Sequence, residues 1–333
     1  MVYAVISDIH SNKEATEAVL EDISEKGITE IFCIGDIVGY GADPAACCAL
    51  TSKYCKSVMG NHDAYLVNIF FHNLKKESKG LISWWRQKRN PVDQQRDFGS
   101  LFRGPPTPLA YATVLAHNAD LQDKHKRFLA NLPLEIITEN AILSHQSPGT
   151  DAYDYKRQEK GQELASYADY VVTAKDYFSE EAETIEKNGL VHTVLQYKHA
   201  RPGAYALAAV QLLGKDVGIM GHSHLANFIA YPKNEKINTD KIQAVIITKN
   251  LQRSGRKNAK SAFELPLHPE FVYLLNPGSV GQPRDHDPRA SYMIVYENRV
   301  VWCKIPYPAN EASKKIIKAG FYSGFGTRLL EGI

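Results

Sequence analysis

A chain of 333 residues with 44% hydrophobic and 23% charged residues describes an ordinary soluble globular protein with ample core, one large α/β domain or two smaller ones. The balance of 39 Lys plus Arg against 37 Asp plus Glu gives a net charge of +2, which excludes a broadly basic nucleic-acid binder and leaves that role only to a local patch. No apolar run approaches the ~18 residues that span a bilayer, so no membrane partner is expected.

Met1–Ile6 lacks a basic leader region and reads as a first strand, Val2–Ile6, that ends in Asp8-Ile9-His10. Ser11-Asn12-Lys13-Glu14 fits a capping box, and Ala15, Ala18, Val19 and Ile23 repeat at helical spacing until Gly27. Ile31–Ile34 is the next strand of a β-α-β unit, ending in Gly35-Asp36, and Pro44 opens a short helix after Gly39-Tyr40-Gly41. A third strand, Ser57–Met59, delivers Gly60-Asn61-His62-Asp63.

From Ala64 to Asp120 the sequence turns helical and irregular and reads as an insertion. Leu134–Ile137 and Ala141–Leu143 predict a hairpin ending in Ser144-His145, and residues 146 to 215 read as a second helical stretch. Val217–Met220 ends in Gly221-His222-Ser223-His224, and Leu225–Ala230 pairs with Ile242–Thr248. A basic loop, Arg253–Lys260, precedes the strand Phe271–Leu275, the turn Asn276-Pro277-Gly278-Ser279 and a last hairpin of Tyr292–Tyr296 with Val300–Lys304. Beyond Pro308 the pattern suggests one helix and a glycine-broken end.

Five expected strands thus end in ligand-type side chains: Asp8 with His10, Asp36, Asn61 with His62, His145, and His222 with His224. Carboxylate and imidazole without thiolate suit manganese first, with iron, zinc or nickel as alternatives. The five cysteines, Cys33, Cys47, Cys48, Cys55 and Cys303, form no C-x-x-C pair and read as free thiols of a reducing cytoplasm. Unrelated structural histidines have no reason to gather at one end of successive strands.

In the order D-x-H, G-D, G-N-H-D, H and G-H-x-H, the sequence resembles the calcineurin-like metallophosphoesterases. The resemblance implies an α/β fold, a four-layer α/β/β/α sandwich of two mixed sheets with flanking helices. It would occupy residues 1 to 308, with helical insertions at about 64–120 and 146–215 and a C-terminal tail over 309–333. It also implies two divalent metal ions, the first held by Asp8, His10 and His224, the second by Asn61, His145 and His222, with Asp36 shared. A metal-bridging hydroxide would attack phosphorus, with His62 as general acid and Asp63 orienting it. Asn61 and Arg284 are the candidate substrate contacts.

Gly35–Pro44 and Asn276–Arg284 look like the bacterial and archaeal predicted phosphodiesterases. Protein serine/threonine phosphatases carry an Asp-Arg pair where this chain has Gly39-Tyr40, which argues against a phosphoprotein substrate. A phosphodiesterase or nucleotide phosphatase acting on a small substrate is therefore expected, with a nuclease acting on nucleic-acid ends, or a non-catalytic scaffold, as rivals. Lys75–Arg89 and Arg253–Lys260 carry charge, but a solvated helix and a polar loop explain them without a nucleic-acid partner. The oligomeric state is left open.

Overall fold

The computed structural model describes residues 2–77, 107–146, 148, 183–187, 190–194, 207, 210–211, 213–233, 243–246 and 259–333. The rest of the expected insertions, the basic segment beyond Glu77 and most of the Arg253–Lys260 loop lie outside the described residues.

Strand β1 (Tyr3–Ile6) leads into helix α1 (Lys13–Glu25), which buries Ala15, Val19 and Ile23. The cap is Asn12 rather than Ser11: Asn12 Oδ1 accepts from the Ala15 N–H, whereas Ser11 has φ of 54°, a conformation unsuited to a cap. β2 (Ile31–Cys33), α2 (Pro44–Tyr54) and the two-residue β3 (Lys56–Ser57) follow, and α3 (Asn61–Glu77) begins at Asn61, placing Asn61, His62 and Asp63 on a first helical turn. Helices α4 (Pro108–Asp120) and α5 (Asp123–Ala130) precede the expected hairpin, β4 (Glu135–Ile137) with β5 (Ala141–Ser144).

Within residues 146 to 215 the structure overturns an all-helical reading. β6 (Glu183–Lys187) and β7 (Leu190–Val194) form an antiparallel hairpin. Their sequences are β-branched, and Asn188-Gly189 between them is the commonest two-residue hairpin pair. β8 (Val217–Met220), β9 (Ala226–Pro232) and β10 (Gln243–Ile246) follow; β11 (Ser261–Pro266) is an unexpected edge strand, followed by β12 (Phe271–Pro277), β13 (Ala290–Val295) and β14 (Arg299–Ile305). The tail is two helices, α6 (Ala309–Lys318) and α7 (Ser323–Glu331), whose Ala312, Ile316, Phe325 and Leu329 form a buried cluster.

The strands make two mixed sheets, ordered β11-β14-β13-β1-β2-β3 and β4-β5-β8-β12-β9-β10-β7-β6. Their inner faces meet in one apolar layer, Val5, Phe32, Ile34 and Trp302 from the first against Leu143, Ile219, Phe228 and Leu275 from the second. The outer face of the first sheet is covered by α1 to α5 through Ile6, Val19, Cys47, Leu66, Val114 and Leu129. β1, β2 and β3 are parallel, as are β5, β8 and β12. Ile6 pairs with Cys33, Cys33 with Ser57, and Ser144 with Met220, so the residues just beyond them emerge together.

The loop after β12 is pinned from beneath by a fully buried ion pair, Lys304 Nζ on β14 to Asp285 Oδ2 at 2.7 Å. Removing one partner leaves the other charge buried and uncompensated. Lys304→Met should therefore lower unfolding free energy by about 3–5 kcal/mol, read as a shift of the urea midpoint with unchanged slope.

Candidate metal centre

The residues at this sheet edge sit on strained backbone. Asp8, His10, Asp36, His222 and His224 have φ of 53°, 48°, 52°, 68° and 61°. Non-glycine residues enter that left-handed region at a cost that the surroundings must override, and such positions gather at functional sites.

Three donor groups converge: Asp8, His10 and His224; His10, Asp36 and His62; Asp36, His145 and His222, each with ligand atoms within 4.8 Å of one another. The histidines are aimed by backbone carbonyls. Nδ1 of His10 donates to Val38 O (3.2 Å), Nδ1 of His145 to Ile34 O (2.9 Å) and Nδ1 of His224 to Gln282 O. A carbonyl only accepts, so Nδ1 carries the proton and Nε2 faces the centre. There His10 Nε2 lies 3.1 Å from His224 Nε2, and His145 Nε2 lies 3.2 Å from His222 Nδ1 and 3.0 Å from Asn61 Oδ1.

This donor set fits a divalent cation. Asp8 Oδ2 takes the Ser7 hydroxyl (2.6 Å) and the His222 N–H (3.1 Å), while Asp8 Oδ1 is buried and accepts no hydrogen bond among the described residues. A buried carboxylate oxygen without a donor calls for a cation. Electrostatics agree. Burial lifts the Asp8 carboxyl to about 6. Burial would also lift Asp36, but the neighbouring His145 and His62 hold it well below the usual carboxylate range. Burial disfavours a charged His145, yet Asp36, with Oδ2 at 3.4 Å, draws it up to about 9. Burial keeps His10 and His224 well below their usual value and lowers His222, beside His145, to about 3.

Asp63 does not do what the sequence suggested. Its Oδ1 accepts from the N–H groups of Ile37 (3.0 Å) and Val38 (3.1 Å) and its Oδ2 from Gly60 (2.9 Å), and no hydrogen bond among the described residues joins it to His62. It fastens the Asp36 loop to the start of α3. Burial and the Asp36 charge push it up to about 7 against the N–H bonds from Gly60 and Val38. Gly60 allows this approach, since a Cβ there would strike the Asp36 backbone. The His62 N–H donates to Asp36 Oδ1 (2.8 Å), and its ring nitrogen Nδ1 lies buried against Gly39, whose own φ is 108°, with no hydrogen-bond partner among the described residues.

Several supporting residues carried no motif signal. His117 on α4 accepts from the Gly39 N–H at Nδ1 (3.4 Å) and donates to Gly41 O from Nε2 (2.9 Å), fixing the loop that bears Tyr40. The Tyr40 ring packs at a tilt 4.7 Å from His10 and 4.6 Å from His62, centroid to centroid. The loop after β12 ties the two sheets together at the centre: Ser279 Oγ donates to Asp8 O (2.8 Å), and Asn276 Nδ2 donates to Gly221 O (2.8 Å) and Ser223 Oγ (3.0 Å). Arg284 stands in that loop with Nη2 donating to Gln282 Oε1 (3.2 Å).

A model of the calcineurin-like phosphoesterase superfamily domain matches residues 1–299. An uncharacterized protein of Methanocaldococcus jannaschii is 31% identical over 337 residues, which cover 99% of this chain and 97% of that protein. Among solved structures, a metallophosphoesterase from Sphaerobacter thermophilus matches with a TM-score of 0.59 at 23% identity, over 100% of this chain and 99% of that one. A hypothetical protein from Pyrococcus horikoshii OT3 matches with a TM-score of 0.54 at 14% identity, over 100% and 98%. At those identities the structures speak for the fold, two mixed sheets with flanking helices.

Proposed function

We propose, from the premise that this chain belongs to the calcineurin-like phosphoesterase superfamily and is a phosphoesterase hydrolase, that it cleaves a small phosphodiester or a nucleotide at a dinuclear centre. The observation that carries this reading is the place of Asp36. It belongs to two donor groups, and its Oδ2 lies 3.6 Å from His10 Nε2 and 3.4 Å from His145 Nε2. One carboxylate between two sets of imidazoles suits a shared ligand. Asp8, His10, His224 and Asp36 would hold one ion, and Asn61, His145, His222 and Asp36 the other. Oxygen and nitrogen donors favour manganese over a thiolate-seeking ion. Bound divalent ions supply Lewis acidity to the phosphoryl oxygens and make water nucleophilic at neutral pH.

The protein's own contribution is positioning and a proton. Water adds to phosphorus as it gives up a proton to solvent, the bond to the leaving oxygen breaks, that oxygen takes a proton from His62, and solvent returns a proton to His62. We assign the proton to Nε2, because Nδ1 is turned to Gly39. Asn61 contacts the phosphoryl group. The five described thiols are free, which supports a cytoplasmic setting. The segments 64–120 and 146–215 leave from Asp63 and His145, and we assign them the choice of a small substrate over a folded phosphoprotein.

The test is exhaustive chelation followed by return of Mn, Fe, Zn, Ni or Mg, assayed on monoesters, diesters, dinucleoside polyphosphates and short oligonucleotides. Turnover should vanish on stripping, return best with Mn and favour small diesters or nucleotides. Full turnover in the stripped protein would end the metal reading, and preference for oligonucleotides would favour a nuclease.

A further inference from the structure

We propose that Arg284 and Arg328 form a second anion subsite on Tyr40, built for a phosphate carried by the leaving group. The proposal rests on the reading of the metal centre as a phosphoesterase site and names the substrate class: an ester or anhydride whose departing half bears a phosphate of its own. Arg328 lies on α7, in the tail, and Arg284 in the loop after β12. Both guanidinium groups approach the Tyr40 ring, Arg284 at 6.0 Å and Arg328 at 5.5 Å from its centroid. Arg328 also lies 5.2 Å from the Phe325 ring. Phe325 in turn packs 4.9 Å from Tyr40, so α7 is seated against the loop of the metal centre.

Two cations share this corner, and none of the ion pairs among the described residues involves either. Nε of Arg284, Nε and Nη2 of Arg328, and Nε2 of Gln282 are all buried N–H donors with no hydrogen-bond partner among the described residues. Leaving buried donors unmet is expensive, and two guanidinium groups beside an amide N–H in one corner specify an acceptor with several oxygens. Phosphate has that form, and a guanidinium fork can engage two of its oxygens at once. A carboxylate from the protein would have answered the need if structure alone were served.

The location gives the subsite its meaning. The Tyr40 ring is shared: its centroid lies 4.6 Å from that of His62 and within 6.0 Å of both guanidinium groups. His62 is placed to protonate the leaving oxygen, so a group held beside Tyr40 by the arginines belongs to the leaving half. The scissile phosphoryl group has its own donors in the metal ligands.

The experiment measures binding first. Pyrophosphate and inorganic phosphate are titrated calorimetrically into the metal-loaded protein and into its Arg328→Gln, Arg328→Lys and Arg284→Gln variants. Loss of one charged hydrogen-bonding partner should weaken pyrophosphate about tenfold or more in each Gln variant, with Arg328→Lys recovering part. Arg328→Gln also loses the ring contacts with Tyr40 and Phe325, so each protein is compared with itself: phosphate should raise the melting temperature of the parent more than that of the variant. A kinetic arm compares dinucleoside monophosphates with and without a terminal phosphate on the leaving nucleoside. The phosphate should lower KM in the parent, and Arg328→Gln should erase that ratio. Equal pyrophosphate affinity in parent and variants overturns the subsite. Binding that follows prediction while neither dinucleotide is cleaved sustains the subsite and removes the proposed reaction instead.

Discussion

Asp36→Asn should empty at least half of the metal complement and lower turnover about 10³-fold or more, because loss of a Lewis acid forfeits several kcal/mol of transition-state stabilisation. The substitution is nearly isosteric, and the amide oxygen can still accept the His62 N–H that Asp36 Oδ1 now takes at 2.8 Å. The fold should therefore persist. What changes is the second oxygen, Oδ2, which faces His10 and His145. An amide N–H there donates into imidazole lone pairs that are meant for a cation, so the centre closes on itself. The variant also removes the anion that draws His145 up to about 9, and the ring should turn neutral. Metal per chain by elemental analysis, together with turnover at saturating Mn, reads the outcome. A variant that keeps its full metal content excludes Asp36 as a shared ligand.

The parts that announced themselves in the sequence have a common physical origin. β1, β2 and β8 are buried on both faces, so each appears as an unbroken apolar run with its polar residue just past the end, and the run and the residue are read together. Asp8, Asp36, His222 and His224 were legible for that reason, and His145 follows the equally buried β5, whereas Asn61 follows the two-residue β3 and was read from the Gly60–Asp63 motif. β11 alternates half-buried and exposed residues at a sheet edge, which leaves little apolar signal after a basic loop. The β6–β7 hairpin was hidden by surrounding Ala and Glu, although Asn188-Gly189 in the sequence is a hairpin signal. α7 contains Gly324 and Gly326, and Gly326 lies so close to Ser313 of α6 that a Cβ would crowd its carbonyl; a break in local propensity is here a contact between helices. His117 and Arg328 act through tertiary contacts alone, with the Gly39-Gly41 loop and with Tyr40. No local pattern encodes such partners. Asp63 was misread because its neighbour in sequence, His62, is not its neighbour in bonding.

His62→Asn should lower turnover by about 10²–10⁴-fold on a substrate with an alkoxide leaving group, the usual range for a lost general acid, while metal content stays near the parent value. The geometry gives His62 two eligible roles, since it lies with His10 and Asp36 in one donor group. Two features favour the proton donor. Its backbone N–H is already committed to Asp36, which holds the first turn of α3 in place whatever the side chain is. Among the described residues its Nδ1 has no carbonyl to fix a tautomer, whereas the rings of His10, His145 and His224 are each fixed in that way. A ligand histidine needs a fixed lone pair, and a proton donor must change its protonation during turnover. Burial lowers the His62 pKa, in part against Asp36, which makes the proton easier to release to an oxygen that is gaining charge. An aryl leaving group needs no such proton, so the activity ratio between an alkyl and an activated aryl diester should fall in the variant. If His62→Asn instead loses metal in step with activity, and the two esters suffer alike, His62 is a ligand and the acid must be sought elsewhere.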